Sequence, residues 1–121
     1  MAKRYEPDEI AERMRRGFKS YEPDKLQRQC LRTWWSASSS DLEEVLHATL
    51  GLVGEAGETA DLIKKWAFKP GGSAGRAAVM DELSDVLYYV AVLAHLWEFT
   101  FDDMAAHLRE KLANGHGWME E

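Results

Sequence analysis

Two pairs of carboxylates, the members of each pair three residues apart, set the strongest constraint on how this chain can fold. Glu55 and Glu58 lie in Gly51-Leu-Val-Gly-Glu-Ala-Gly-Glu-Thr-Ala-Asp-Leu-Ile-Lys-Lys65, and Glu82 and Asp85 in Asp81-Glu-Leu-Ser-Asp85. On an α-helix, residues i and i+3 are neighbours on one face, about 5–6 Å apart at Cβ. Two helices presenting these pairs to each other would gather four carboxylates around one small volume. Two like charges about 5 Å apart repel by roughly 3 kcal/mol at an effective dielectric near 20. Such a cluster persists only if it is solvated, partly protonated or bound to a cation. An all-oxygen donor set suits Mg²⁺, Mn²⁺ or Ca²⁺ rather than zinc or copper.

Composition narrows the surroundings of that cluster. A chain of 121 residues, 45% hydrophobic and 30% charged, fits one globular domain, 1–121. Its net charge of −6 argues against a nucleic-acid polymer as partner, because such binding needs a basic footprint. A single nucleotide stays open, since metal ions and a few lysines can meet its phosphates. The one cysteine, Cys30, cannot form an intrachain disulfide, which predicts a reducing, cytoplasmic setting. No secretory-type apolar run follows Met1-Ala-Lys-Arg4. The apolar stretch Val86–Trp97 falls well short of the ~20 residues needed to span a bilayer.

Along the chain, Tyr5-Glu-Pro-Asp8 recurs as Tyr21-Glu-Pro-Asp24, and both copies read as helix starts. The first predicts a short helix with Ile10 and Met14 on one face. The second predicts a helix from about Asp24, with Leu26, Cys30, Leu31 and Trp34 at helical spacing. Residues 1–36 thus form an N-terminal helical segment. Ser36-Ala-Ser-Ser-Ser40 breaks the pattern, and Ser40 with Glu43 has capping-box spacing. A long amphipathic helix follows, with Val45, Leu46, Thr49, Val53, Ala56, Ala60 and Ile63 as its apolar stripe. That stripe is expected to pack, leaving Glu55 and Glu58 on the opposite, functional face. Gly51, Gly54 and Gly57 each cost about 1 kcal/mol in a helix interior, so they predict a close approach to the backbone.

Phe68-Lys-Pro-Gly-Gly-Ser-Ala-Gly75 reads as a loop. The next helix is expected from Arg76 to Glu98, its second half apolar nearly all round and therefore buried. Glu82 and Asp85 share a face with Tyr89, Leu93 and Leu96, so the acids run straight into core, where carboxylates need a partner. Thr100 and Asp103 cap a last helix that ends at Asn114-Gly115, leaving 115–121 as a tail. No alternating strand pattern occurs. The prediction is an all-α fold with a four-helix-bundle-type core in 40–114, completed by oligomerisation because the helix from Arg76 is apolar on more faces than one chain can cover.

The stretch Gly51–Lys65 followed by Asp81-Glu-Leu-Ser-Asp-Val-Leu-Tyr-Tyr89 resembles the MazG-like, all-α nucleoside triphosphate pyrophosphohydrolases, whose signature is Glu-x-x-Glu, a spacer, then Glu-x-x-Asp. The resemblance covers about residues 40–114. It implies Mg²⁺ (or Mn²⁺) at Glu55, Glu58, Glu82 and Asp85 as catalytic metal ligands, a dimer or dimer of dimers, and hydrolysis of a (deoxy)nucleoside triphosphate to monophosphate and pyrophosphate. Lys111-Leu112 resembles the Lys-Leu near the end of the family's last helix. Leu108 stands where the family carries Asn. Gly54 stands where some relatives active on dUTP carry an extra acid.

Around the acids, Glu55 is the candidate general base, and Lys64, Lys65 and Lys111 are candidates for phosphate contacts. Asp61 and Asp81 are open between further ligands and plain surface roles. Trp34, Trp35 and Tyr89 are the aromatics best placed to hold a base. Each also fits ordinary core, as do His47, His95 and Cys30. Three functions follow: a nucleotide pyrophosphohydrolase; a relative acting on another compound, of phosphoribosyl-ATP or dUTP type; or a non-catalytic helical bundle that binds metal or a partner.

Overall fold

A computed structural model describes residues 21–69 and 75–115. The expected helix around Ile10 and Met14 and the tail beyond Gly115 lie outside the described residues. The described chain is all-α: α1 (Lys25–Leu31), α2 (Asp41–Phe68), α3 (Arg76–Leu96) and α4 (Phe101–Asn114). Among the described residues there is no strand. No described helix is long and apolar enough to cross a membrane.

Polar side chains fix where each helix begins. Asp24 Oδ1 accepts from the Gln27 amide at 2.9 Å, and Gln27 Oε1 accepts from the Asp24 amide at 2.9 Å, which closes a capping box on α1. Thr100 and Asp103 close another on α4. At α2 the box is only half formed. Ser40 Oγ accepts from the Glu43 amide, but the Glu43 carboxylate turns back to Ser39 instead. The α1 helix stops at Leu31 rather than running through Trp34. Beyond it, the amides of Thr33 and Trp34 both fall back on the Cys30 carbonyl, and the Trp34 indole is drawn towards α2, where it donates to Glu44 at 2.8 Å. The α3 helix ends at Leu96, just short of the expected Glu98. Glu98 itself takes a left-handed φ of 58°, and the Phe99 amide reaches back to the Ala94 carbonyl. This is the reversal that glycine usually makes.

The α2 and α3 helices pack against each other, and α1 lies across α3. Cys30, Ala48, Ala91 and Val92 form the buried centre, flanked by Trp34, Tyr88, Leu93, Leu96 and Phe101. Gln27 is fully buried, with its amide donating to the carbonyls of Phe99 (2.7 Å) and Ala91 (3.4 Å). Asp24 Oδ2 accepts from the Phe101 amide at 3.0 Å, so one carboxylate caps α1 and holds the first turn of α4.

The packed face of α2 is not the aliphatic stripe. Leu46, Val53 and Ile63 are exposed, at 50%, 64% and 39%, whereas Ala48 is buried and Gly51 touches α3. Small residues on the acidic face let α3 come close, and the larger aliphatics are left outward. The three glycines also divide. A Cβ on Gly51 would stand 2.2 Å from Tyr89 Cε1, while Gly54 and Gly57 have no described atom within 4 Å of theirs.

Candidate active site

Close packing through Ala48 and Gly51 aims the acidic turns of α2 and α3 at each other. One carboxylate oxygen each from Glu55, Glu82 and Asp85 lies within 4.8 Å of the others. Glu55 and Glu82 are half-buried, and Asp85 is exposed. The Oε2 atoms of Glu55 and Glu82 are closed to solvent and have no hydrogen-bond partner among the described residues. Burial, then the charges of Glu58 and Asp85 and an approach by the Glu58 carboxyl, hold the Glu55 carboxyl above its ordinary range. Glu82 is raised by burial, then by Glu58, Asp85 and Asp81. Glu58 is therefore near enough for its charge to be felt by both, although it stands outside the tight triad. Two orphaned carboxylate oxygens in an all-oxygen cluster fit a hard divalent cation.

The other candidate residues fall into distinct places. Asp61 accepts from Lys65 at 2.7 Å and from Lys64 at 3.1 Å on the exposed surface of α2. The Lys65 and Lys64 ammonium groups hold Asp61 below the usual carboxylate range, and Asp61 in turn raises Lys65. Either lysine would have to leave Asp61 to meet a phosphate. Lys111 is exposed on α4, which meets α2 and α3 only sparsely. Trp35 is 75% exposed.

Trp34 is built into the wall beside the acids. Its ring packs on His47 at 4.8 Å and stands edge-on to Tyr89 at 6.3 Å. Tyr89 is in turn edge-on to Tyr88 at 5.2 Å, and the Tyr88 hydroxyl bonds Thr33 Oγ1 at 3.0 Å. Burial, then the charge of Glu55, raises the Tyr89 hydroxyl, which places that ring beside the cluster. His47 shares a hydrogen bond with Ser36 at 2.8 Å. His95 serves packing: its Nδ1 meets the Tyr21 hydroxyl at 2.8 Å, burial lowers its pKa, and burial with nearby acids pushes Tyr21 up to about 12. Sequence reasoning missed Glu44 as the anchor of Trp34, since a lone Glu on a helix carries no such signal.

Two long helices that converge carboxylates on one point define a class: all-α bundles with an acidic cluster of a kind that fits a cation. The MazG nucleotide pyrophosphohydrolase domain matches residues 43–119, and this chain belongs to that family. It is also similar to the "Gene 37 protein" of Mycobacterium phage L5, at 42% identity over 57 residues. That alignment covers 45% of this chain and 50% of the phage protein, so the chain spans about half the length of the curated relative it matches. No solved structure matches the chain.

Proposed function

We propose that this protein is a Mg²⁺- or Mn²⁺-dependent nucleoside triphosphate pyrophosphohydrolase, working as a homo-oligomer in the cytoplasm. The observation that carries the reading is the triad of Glu55, Glu82 and Asp85 with its two solvent-closed oxygens that have no hydrogen-bond partner among the described residues. Membership of the MazG family supports the same chemistry. The reaction adds water across the bond between the α and β phosphates, releasing a monophosphate and pyrophosphate.

A divalent ion held by these acids would neutralise charge on the phosphoryl oxygens and acidify a bound water. Glu55, Glu82 and Asp85 are the residues that would hold it, with Glu58 beside them. Glu55 is the proton acceptor in this reading, as a carboxylate of the cluster that can face a bound water. Lys64, Lys65 and Lys111 supply phosphate contacts, the first two by exchanging Asp61 for substrate. Trp34, Trp35 and Tyr89 supply the apolar ground on which a base can rest.

The test is chromatography of ATP, dGTP, dCTP, dUTP and dTTP after incubation with the protein. Monophosphate and pyrophosphate are expected only when Mg²⁺ or Mn²⁺ is present. Diphosphate as the product, or turnover that survives EDTA, would overturn the reading.

A further inference from the structure

Within α2, three glycines carry the same helix-propensity cost, yet only Gly51 meets a neighbour among the described residues. A Cβ there would lie 2.2, 2.5 and 2.6 Å from Cε1, Cζ and Cδ1 of Tyr89, nearer than real Cβ atoms come to other atoms. The Tyr89 ring therefore occupies the space a side chain at position 51 would fill. Tyr89 follows Asp85 by one helical turn on α3, and Gly51 precedes Glu55 by one turn on α2, so the contact sits immediately beside the acids. Trp34 and Tyr88 brace the ring edge-on from two other directions.

We propose that Gly51 is a positioning residue: its bare backbone seats Tyr89 beside the acidic cluster, and this seat governs which nucleotide the site prefers. The second half of the proposal rests on the pyrophosphohydrolase reading above. The acids meet only phosphate and metal, so selection must come from a group one turn away, where sugar and base would lie. Tyr89 is half-buried and keeps an open side for that contact.

Melting curves of Gly51→Ala, Tyr89→Ala and the double variant, in the full chain without nucleotide, test the seat. Alanine at position 89 removes the Cδ1, Cε1 and Cζ atoms that a Cβ on residue 51 would meet. In the Tyr89→Ala background Gly51→Ala should therefore raise the Tm by about 4 °C, through helix propensity alone. In the Tyr background the same change should lower the Tm or leave it level. An equal rise in both backgrounds overturns the seat. Steady-state kinetics on the five triphosphates then test selection. Gly51→Ala should raise KM for the preferred nucleotide by roughly tenfold, more than it lowers kcat, and reorder the panel. An unaltered order of preference in Gly51→Ala overturns the role in selection. If the unmodified protein turns over none of the five, the hydrolase reading and the selection claim fall together, while the melting cycle still decides the seat.

Discussion

Glu55 and Glu82 each hold an oxygen out of water with no partner among the described residues, and this makes the stability of the metal-free protein depend on pH. Both folded values are raised above the ordinary 4.5, first by burial and then by neighbouring acids. A raised acid favours its protonated form in the fold, so its contribution is complete below the unfolded value and is lost as pH rises through the folded one. Without metal, the Tm contribution of these acids should fall as pH climbs from about 4.5 towards neutrality. Glu55→Gln removes one of the two contributions, so its melting curves at pH 5 and pH 7 should lie closer together than those of the unmodified protein. Identical spacing would show that Glu55 is not buried as described. Glu58→Gln and Asp85→Asn should each lower turnover by about 100-fold or more, while the Tm without metal at pH 7 holds or rises because a repulsion is gone. Asp85→Asn should also weaken Mn²⁺ binding by roughly tenfold or more, measured by calorimetry. Near-normal turnover in either variant would remove that residue from the site.

The capping boxes tie the helices to one another as well as starting them. Asp24→Ala deletes the cap of α1 and the acceptor for the Phe101 amide of α4, and should cost about 1–3 kcal/mol in urea denaturation. Asp24→Asn keeps one acceptor and should cost less; equal losses would mean that the acceptor it keeps contributes nothing. Much of the helix layout was legible because caps are local: Asp24, Ser40 and Thr100 each cap the helix expected to follow. The acidic pairs were legible for the same reason, since i and i+3 spacing places both members on one face. What is not local was misread. The stripe from Val45 to Ile63 has helical periodicity, but periodicity says only that one face differs from the other. The close approach allowed by Ala48 and Gly51 decided which face α3 took. Glu98 in a left-handed turn gave no warning either, because glycine is the residue that signals such a bend. Trp34 left the α1 spacing for a hydrogen bond to Glu44, ten positions away in sequence.

At the scale of the whole molecule, the described chain leaves apolar surface uncovered on both long helices. On α2, Leu46, Leu50 and Val53 are 50%, 70% and 64% exposed; on α3, Met80, Leu83 and Leu87 are 58%, 52% and 44% exposed. The α3 residues line a shallow, largely apolar groove of about 310 Å³ with Arg76, Val79 and Ser84. Soluble monomers rarely expose contiguous apolar patches beyond a few hundred Å². Among the described residues, the buried apolar set is confined to Cys30, Ala48, Ala91, Val92 and Ala94, small side chains that supply little burial. A four-helix core needs more than this pair of long helices, and a second copy related by a two-fold axis would present the same faces in return. The expected state is a dimer or larger at micromolar concentration, measured by light scattering coupled to size-exclusion chromatography. Leu50→Glu and Leu83→Glu place a charge on each exposed face. At least one of them should shift the protein to a smaller species and lower its Tm, because the faces it needs buried would then stay in water. A stable monomer at these concentrations, with a Tm indifferent to protein concentration, would show that α2 and α3 tolerate their exposed aliphatics alone.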